Sequence, residues 1–179
     1  LRQDLPERRH SDQVGLQRTQ GGDKIFFVSD ADLFTFGILN STMHNAWMRT
    51  VCGRLESRYS YSNTIVYNNF PWPEPTEAQR RAIEAAAQEV LDARAKFPGS
   101  TLADLYDPVT MPPELAKAHT TLDRAVDKAY GRTAFASEME RVAFLFERYE
   151  ALTRPLLPTT RSGRKRHGSG GPKRPSSRT

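Results

Sequence analysis

The chain has 179 residues, a hydrophobic fraction of 37% and a formal net charge of +5. This length suits one ordinary domain or two small ones, with a core of modest size. No run reaches about 18 apolar residues, which excludes a membrane-spanning helix of ordinary length. Cys52 is the single cysteine, so an internal disulfide and a cysteine metal cluster are excluded, and a cytoplasmic location fits.

The N-terminal sequence LRQDLPERRH is polar and charged, and it has neither a starting methionine nor the apolar region of a signal peptide. We therefore expect the chain to be the end of something longer. Residues 1–22 are expected to form a flexible lead-in.

Residues 23–73 are expected to form a small α+β piece. The sequence KIFFVS, residues 24–29, is short, β-branched and aromatic, which predicts a strand. One helix is predicted from Ser29, as the N-cap, to a stop at Gly53, because apolar residues recur at helical spacing between them. The run SNTIVYNNF, which begins at Ser62, predicts a second extended segment.

Residues 74–153 are predicted to form four helical pieces. Thr76 opens the first, with a glutamine three residues later as in a capping box, and residues 101–106 fit one short turn. The prolines of MPPELAKAHTTLDRAVDKAYG suit the first turn of a helix that stops at Gly131. Ser137 opens the last helix. Short loops between these pieces predict a small antiparallel bundle, so the chain is expected to be mainly α.

Basic residues are concentrated at the C-terminal end. Eight of the 26 Lys and Arg residues lie from Arg154 onward, where no acidic residue occurs, so the preceding part carries 18 basic and 21 acidic residues. Residues 154–179 are rich in Pro, Gly, Ser and Thr, and such a composition buries too little apolar surface to offset chain entropy. We expect a disordered basic tail, which either gathers phosphates non-specifically or has no specific role.

The stretch NNFPWPEPTEAQ, residues 68–79, allows two interpretations. In the Asn-Pro-Pro-aromatic signature of amino-group methyltransferases, proline follows asparagine directly, and both supply acceptors for the exocyclic amine. Here Phe70 separates Asn69 from Pro71, and Trp72 separates the two prolines. We therefore interpret the stretch as a hinge, in which the two aromatic residues pack the flanking parts together.

Other residues with catalytic or metal-binding chemistry form no matching pattern. The four histidines have no metal-ligand spacing, and His44 and His119 are interpreted as polar-edge residues of helices. Asp104 and Asp107 fit a helical turn with an Asp-Pro exit better than a catalytic carboxylate pair. No glycine-rich turn for a methyl donor follows a strand. We therefore assign no catalytic, cofactor-binding or metal-binding residue in this chain.

Residues 49–69 alternate cations with tyrosines and amides. Arginine can pair with phosphate or the guanine edge, asparagine can bind adenine, and tyrosine can donate to phosphate or stack on a base. In the alternative interpretation, the tyrosines pack on the preceding helix and the polar groups satisfy backbone. Arg54 and Arg58 are the strongest candidates within the full set of possible DNA contacts, which is Arg49, Arg54, Arg58, Tyr59, Tyr61, Asn63, Asn68 and Asn69.

The sequence FGILNSTMHNAWMRTVCGRLESRYSYSNTIVYNNFPWPE resembles the closing segment of the target-recognition domain in bacterial fused restriction-and-modification DNA methyltransferases, the type IIG and IIL group. LADLYDPVTMPPELAKAHTTLDRAVDKAYG and ERVAFLFERYEALT resemble the helical domain that follows it in that family. The resemblance runs from about Lys24 to Thr153. Because many separate pieces occur in the same order, it is more specific than any single motif.

The resemblance implies that this chain is the C-terminal part of an adenine-specific DNA methyltransferase. In that family, the upstream methyltransferase domain transfers a methyl group from S-adenosylmethionine, and its binding and catalytic motifs would lie before Leu1. The chain is then expected to be non-catalytic, to bind no cofactor itself and to support recognition of double-stranded DNA. The alternative is a helical interaction module that docks on the methyltransferase core without touching DNA.

Overall fold

The computed structural model describes residues 14–18, 24–56 and 58–154. The strands are β1 (Val14–Arg18), β2 (Lys24–Val28), β3 (Gly53–Leu55) and β4 (Arg58–Ser60). The helices are α1 (Leu33–Asn40), α2 (Thr42–Val51), α3 (Glu77–Ala95), α4 (Leu102–Leu105), α5 (Pro113–Ala129) and α6 (Glu138–Thr153). The predicted mainly α fold is confirmed for this part of the chain. Nearly all of the predicted basic tail, from residue 155, and most of the predicted lead-in lie outside the described residues.

The strands form two separate antiparallel hairpins, β1–β2 and β3–β4. β2 confirms the strand predicted from KIFFVS. β1 was not predicted, because its sequence VGLQR contains a glycine and few β-branched residues. It pairs along its whole length with β2, from Val14 opposite Val28 to Arg18 opposite Lys24. Backbone pairing with the neighbouring strand thus places this segment in a sheet that its own composition does not indicate.

The prediction of one continuous helix from Ser29 to Gly53 is wrong at its start and in its middle. α1 begins at Leu33, where Asp32 is the N-cap and accepts a 2.8 Å hydrogen bond from a backbone amide of the first turn. At Ser41 the backbone is extended, and this residue caps α2 in turn. The amide of Thr42 donates to Asp123 of α5 across 2.7 Å. A contact with a distant helix therefore stabilises the break, which separates two helices that share one apolar pattern.

The predicted second extended segment is also wrong, because Asn63–Tyr67 forms a π-helical turn. The indole Nε1 of Trp47 donates to the carbonyl of Val66 across 3.0 Å. The side-chain amide of Asn69 donates to two further carbonyls of the turn, at 2.8 and 3.1 Å. These side-chain bonds satisfy carbonyls that an extended strand would offer to a neighbouring strand.

The helix starts predicted for residues 74–153 are confirmed. Thr76 and Thr101 form capping boxes with the side chains three residues later, and Ser137 accepts a hydrogen bond from the amide of Glu140. α5 has proline in its first turn. Gly131 follows this helix with a φ of 75°, in the left-handed region that glycine adopts at low cost.

Helices α1, α3 and α5 pack together and bury the core. Gln79 at the start of α3 donates to the carbonyl of Lys128 at the end of α5, across 3.0 Å, so these helices are antiparallel. α1 instead runs in the same direction as α3, because Asp32 pairs with Arg80 near the start of α3 and Asn40 bonds to Arg94 near its end. The largest fully buried side chains come from five helices, the π-helical turn and the hinge, and they are Phe34, Ile38, Met43, Trp47, Val66, Pro71, Ile83, Val90, Leu115, Leu122, Val126 and Leu145.

Candidate nucleic-acid interface

The β3–β4 hairpin contains the two strongest predicted DNA contacts. β3 follows the end of α2 directly, and Gly53 pairs with Ser60 while Arg54 pairs with Tyr59. At the turn, Glu56 has a φ of 56°, in the left-handed region. Because α2 packs on the helical core, it fixes the point from which this exposed hairpin extends.

Arg54 and Tyr59 form a stacked pair on this hairpin. The Arg54 guanidinium carbon lies 4.5 Å from the centre of the Tyr59 ring, and Nη2 donates to the tyrosine hydroxyl across 3.1 Å. Both residues are exposed, with 43% of the Tyr59 surface accessible. A stacked guanidinium is held in orientation while it keeps further N–H donors for an incoming acceptor. The pair is therefore positioned to bind phosphate or a base edge.

Arg58 lies at the start of β4, and its one ion pair within the described residues is with Glu56 across the hairpin turn. The ion-pair distance is 3.4 Å, and the two side chains are 78% and 76% exposed. A pair so exposed contributes little to stability and is screened by salt. Arg58 can consequently exchange this carboxylate for another anion at low cost.

Arg49 has a structural contact that the sequence did not indicate. Its Nη1 lies 2.7 Å from Oε2 of Glu138, which joins the last turn of α2 to the first turn of α6. Two residues 89 positions apart form this pair. The carboxylate neutralises the charge of Arg49, so this arginine is less available to DNA than the hairpin arginines.

Tyr61 points toward the protein rather than lying fully in solvent. It is half-buried, and its hydroxyl lies 3.1 Å from Nε2 of His44. Burial raises the pKa of Tyr61 to about 12 and lowers the pKa of His44 to about 4. His44 is only 4% exposed, so its interpretation as a polar-edge residue is wrong. The buried face of α2 includes His44, so it is wider than the spacing of the apolar residues in its sequence predicts.

The three predicted asparagines lie in or beside the π-helical turn. The Asn63 side chain accepts a hydrogen bond from the next backbone amide across 2.9 Å, and Asn69 donates to the turn as described above. Asn68 is exposed, and its side chain makes no hydrogen bond within the described residues. Two of the three amides thus have structural partners, which leaves Asn68 as the asparagine whose side chain is open to a ligand.

Phe70 packs on the segment that precedes the hinge, and a hydrogen bond at Pro71 joins the hinge to the end of α5. Phe70 is 3% exposed and meets Trp47 and Trp72 edge to face, with ring centroids 6.3 and 5.4 Å apart. The hydroxyl of Tyr130 on the α5 side donates to the carbonyl of Pro71 across 3.0 Å. These contacts join the segment that carries the hairpin to the helical bundle.

The described residues contain no group of three or more His, Cys, Asp or Glu side chains arranged to hold a metal ion. Within this same part of the chain, no helix is long and apolar enough to cross a membrane.

Two family models match the chain in succession. The MmeI target recognition domain matches residues 13–74, and the MmeI C-terminal domain matches residues 75–157. The chain thus carries the MmeI target recognition domain followed by the MmeI C-terminal domain. The first match covers both hairpins, α1, α2 and the π-helical turn, and the second covers α3 to α6. The resemblance to the C-terminal part of a type IIL-like methyltransferase is therefore confirmed.

A solved relative and a curated relative agree with this assignment. The structure of the type IIL restriction-modification enzyme MmeI in complex with DNA aligns with 72% of this chain at 54% identity and a TM-score of 0.70. DNA methyltransferase A of Bacillus subtilis (strain 168) is 43% identical over 129 residues, which are 72% of this chain. The chain spans only 17% of that MmeI chain and 15% of the Bacillus relative.

Proposed function

We propose that this chain is the DNA-binding C-terminal part of an adenine-specific DNA methyltransferase, with no catalytic centre of its own. The β3–β4 hairpin is the element that contacts double-stranded DNA. Arg54 and Arg58 bind phosphate or a base edge, Tyr59 orients Arg54, and Asn68 lies close by in sequence. The other candidates are mainly structural residues that stabilise this surface, and they are Arg49, Tyr61, Asn63 and Asn69.

The stacked and exposed Arg54–Tyr59 pair is the observation that carries this proposal. A bidentate contact with a ligand benefits from an arginine of fixed orientation, whereas the stability of a short exposed hairpin does not require one. The matched solved relative was studied in complex with DNA, which supports a DNA-binding role for the shared domains. The helical bundle then acts as a support that fixes α2 and hence the hairpin.

DNA binding by paired arginine variants tests the proposal. Arg54→Ala combined with Arg58→Ala should weaken binding to a short duplex at least about tenfold, because two charge-assisted contacts are lost. The control combines Arg81→Ala with Arg124→Ala, which removes the same charge from exposed arginines of α3 and α5 that have no ion pair within the described residues. Fluorescence anisotropy should give near wild-type affinity for this control. Equal losses of DNA affinity in both double variants would show that the hairpin contributes to binding only through its net charge.

The upstream methyltransferase domain is the second proposed partner. The parent enzyme would use S-adenosylmethionine to methylate an adenine amino group, and this chain would contribute no donor-binding residue. Titration of the chain with S-adenosylmethionine should therefore give no calorimetric signal. A saturable signal would overturn the assignment of donor binding to the upstream domain.

An alternative function is docking on the methyltransferase core without DNA contact. Three apolar side chains of α6 favour it, because Met139, Phe146 and Leu152 are 81%, 38% and 40% exposed. Phe146 also packs on Trp47, with ring centroids 5.3 Å apart, so only the other two are substituted. Met139→Ser with Leu152→Ser should weaken binding to the separately expressed methyltransferase domain if α6 is the docking surface. This double variant should retain the DNA affinity that the hairpin provides, which separates the two functions.

A further inference from the structure

A cavity of about 290 Å³ lies between β2 and the helices α1 and α2, and its wall includes Tyr61, which directly follows β4. Phe26, Leu39, His44, Tyr61 and Tyr67 line it, together with other side chains of α2 and β2. No charged side chain is among the lining residues. Nothing in the proposed hairpin contact uses this space, and its volume is at the lower end of the range for small-ligand pockets.

The walls are suited to a flat ring. The Phe26 and Tyr61 ring centroids are 5.6 Å apart with an angle of 55° between the planes, and the His44 and Tyr61 centroids are 6.1 Å apart at 42°. Tilted rings of this kind offer both faces and edges to an aromatic guest. Leu39 and the neighbouring aliphatic side chains supply apolar contact on the remaining walls.

Two residues of the wall have a polar atom without a hydrogen-bond partner in the described part of the chain. His44 is 96% buried, its Nε2 is engaged with the Tyr61 hydroxyl, and its Nδ1 has no partner within the described residues. In either neutral tautomer Nδ1 is a donor or an acceptor, so a partner is required in both cases. Asn45 donates its amide N–H to the carbonyl of Ser41 across 2.9 Å, and its oxygen accepts no hydrogen bond from the described residues.

We propose that this cavity binds a nucleobase. A purely aliphatic guest would make no hydrogen bond with the polar groups of His44, Asn45 and Tyr61 in the wall, and a charged guest would find no opposite charge there. A base offers a stacking face together with donors and acceptors on its edge. The shared chemistry is a neutral heteroaromatic ring, which is supplied by an unstacked base of DNA or by a free nucleoside. The DNA source rests on the proposed DNA-binding function, whereas the free nucleoside does not.

The first test uses the full chain with adenosine, cytidine and thymidine, and with ribose as the ligand that lacks a base. Saturation-transfer NMR should show contact at the base protons of at least one nucleoside and none for ribose. Leu39→Trp, which fills the cavity, should weaken this binding at least tenfold. Leu102→Trp is the matched control, because Leu102 is 61% exposed on α4 and does not line the cavity. His44→Phe keeps a ring but removes both nitrogens, and it should also weaken binding about tenfold.

The second test separates the two sources of the ring. Duplex DNA with 2-aminopurine at successive positions should brighten on binding where a base leaves the stack, and Leu39→Trp should suppress this increase while the anisotropy affinity is kept. Nucleoside binding without any increase assigns the cavity to a free ligand. Absence of both signals, or unchanged binding in a folded Leu39→Trp variant, overturns the proposal. Failure of the hairpin variants to alter DNA affinity instead refutes the proposed function and leaves the nucleoside result standing.

Discussion

Burial of His44 should make the stability of the fold depend on pH. The imidazole is 4% exposed, and burial lowers its pKa from 6.5 to about 4. Between these two values the unfolded chain binds more protons than the folded chain, so acid favours unfolding. The contribution of neutral His44 is therefore complete above pH 6.5 and is lost as the pH falls toward 4.

The size of this effect follows from the two pKa values. The gap between 6.5 and about 4 corresponds to about 3 kcal/mol in the free energy of unfolding, of which about 2 kcal/mol should be lost between pH 7 and pH 5. His44→Phe keeps the ring volume and removes the titrating group. The difference in stability between wild type and this variant should therefore change by about 2 kcal/mol over that pH interval.

Urea unfolding followed by circular dichroism at pH 7, 6 and 5 measures this difference. Tyr61→Phe is the matched control, because it removes the hydroxyl that contacts His44 Nε2 but leaves the imidazole buried. This control should keep the steep dependence on pH, whereas His44→Phe should flatten it. Parallel curves for wild type and His44→Phe would show that His44 titrates normally in the folded chain and would refute the reasoning.

Three further predictions concern packing and buried polar groups. A Cβ atom added to Gly37 would lie 2.9 Å from a methyl carbon of α3, so Gly37→Ala should lower the free energy of unfolding by about 1–3 kcal/mol, measured by thermal unfolding. Gly53→Ala is the control and should lower it far less, because nothing lies within 4 Å of the added atom. Trp47→Phe should lower the free energy of unfolding by about 2 kcal/mol, because a buried carbonyl loses its 3.0 Å donor. It should also speed amide hydrogen exchange in the π-helical turn, and unchanged exchange would contradict this. Arg141→Met should lower the free energy of unfolding by about 3–5 kcal/mol, because Asp127 stays buried without its 2.9 Å partner. Addition of Asp127→Asn should restore much of this stability. A double variant as unstable as the single one would count against a buried ion pair.

The helix starts in residues 74–153 follow from the sequence because their determinants are local. Thr76 and Thr101 each bond to a side chain three residues later, and Ser137 accepts from an amide at the same spacing. Such a bond needs no information about the rest of the fold. A proline in the first turn of α5 and Gly131 after its end are equally local signals.

The segment before residue 74 is less predictable because distant partners decide its shape. The break at Ser41 is accompanied by a bond from Thr42 to Asp123, 81 positions away. The π-helical turn receives a donor from Trp47, 19 positions from its acceptor. The spacing of residues along the sequence indicates neither contact. It therefore predicts one helix where the structure has two helices separated by a bend, and one strand where the structure has a π-helical turn.

The same limit applies to the candidate interface. The sequence identifies the arginine-rich and tyrosine-rich region, but it cannot show that Glu138 neutralises Arg49 or that burial holds Tyr61 against His44. Only the folded chain distinguishes these residues from the exposed Arg54 and Tyr59. Residue type therefore predicts the region of the candidate interface, and burial and pairing select the residues that we propose to contact DNA.

DNA binding by a chain that ends at Thr153, compared with the full chain, tests the central claim most directly. Fluorescence anisotropy at several salt concentrations should show that the shorter chain binds a duplex with a clear salt dependence, since the hairpin arginines belong to the folded part. Arg54→Ala with Arg58→Ala in the shorter chain should reduce the slope of log affinity against log salt by about 2, as expected for two lost phosphate contacts. Binding by the full chain alone would assign the affinity to the basic tail and would contradict the account.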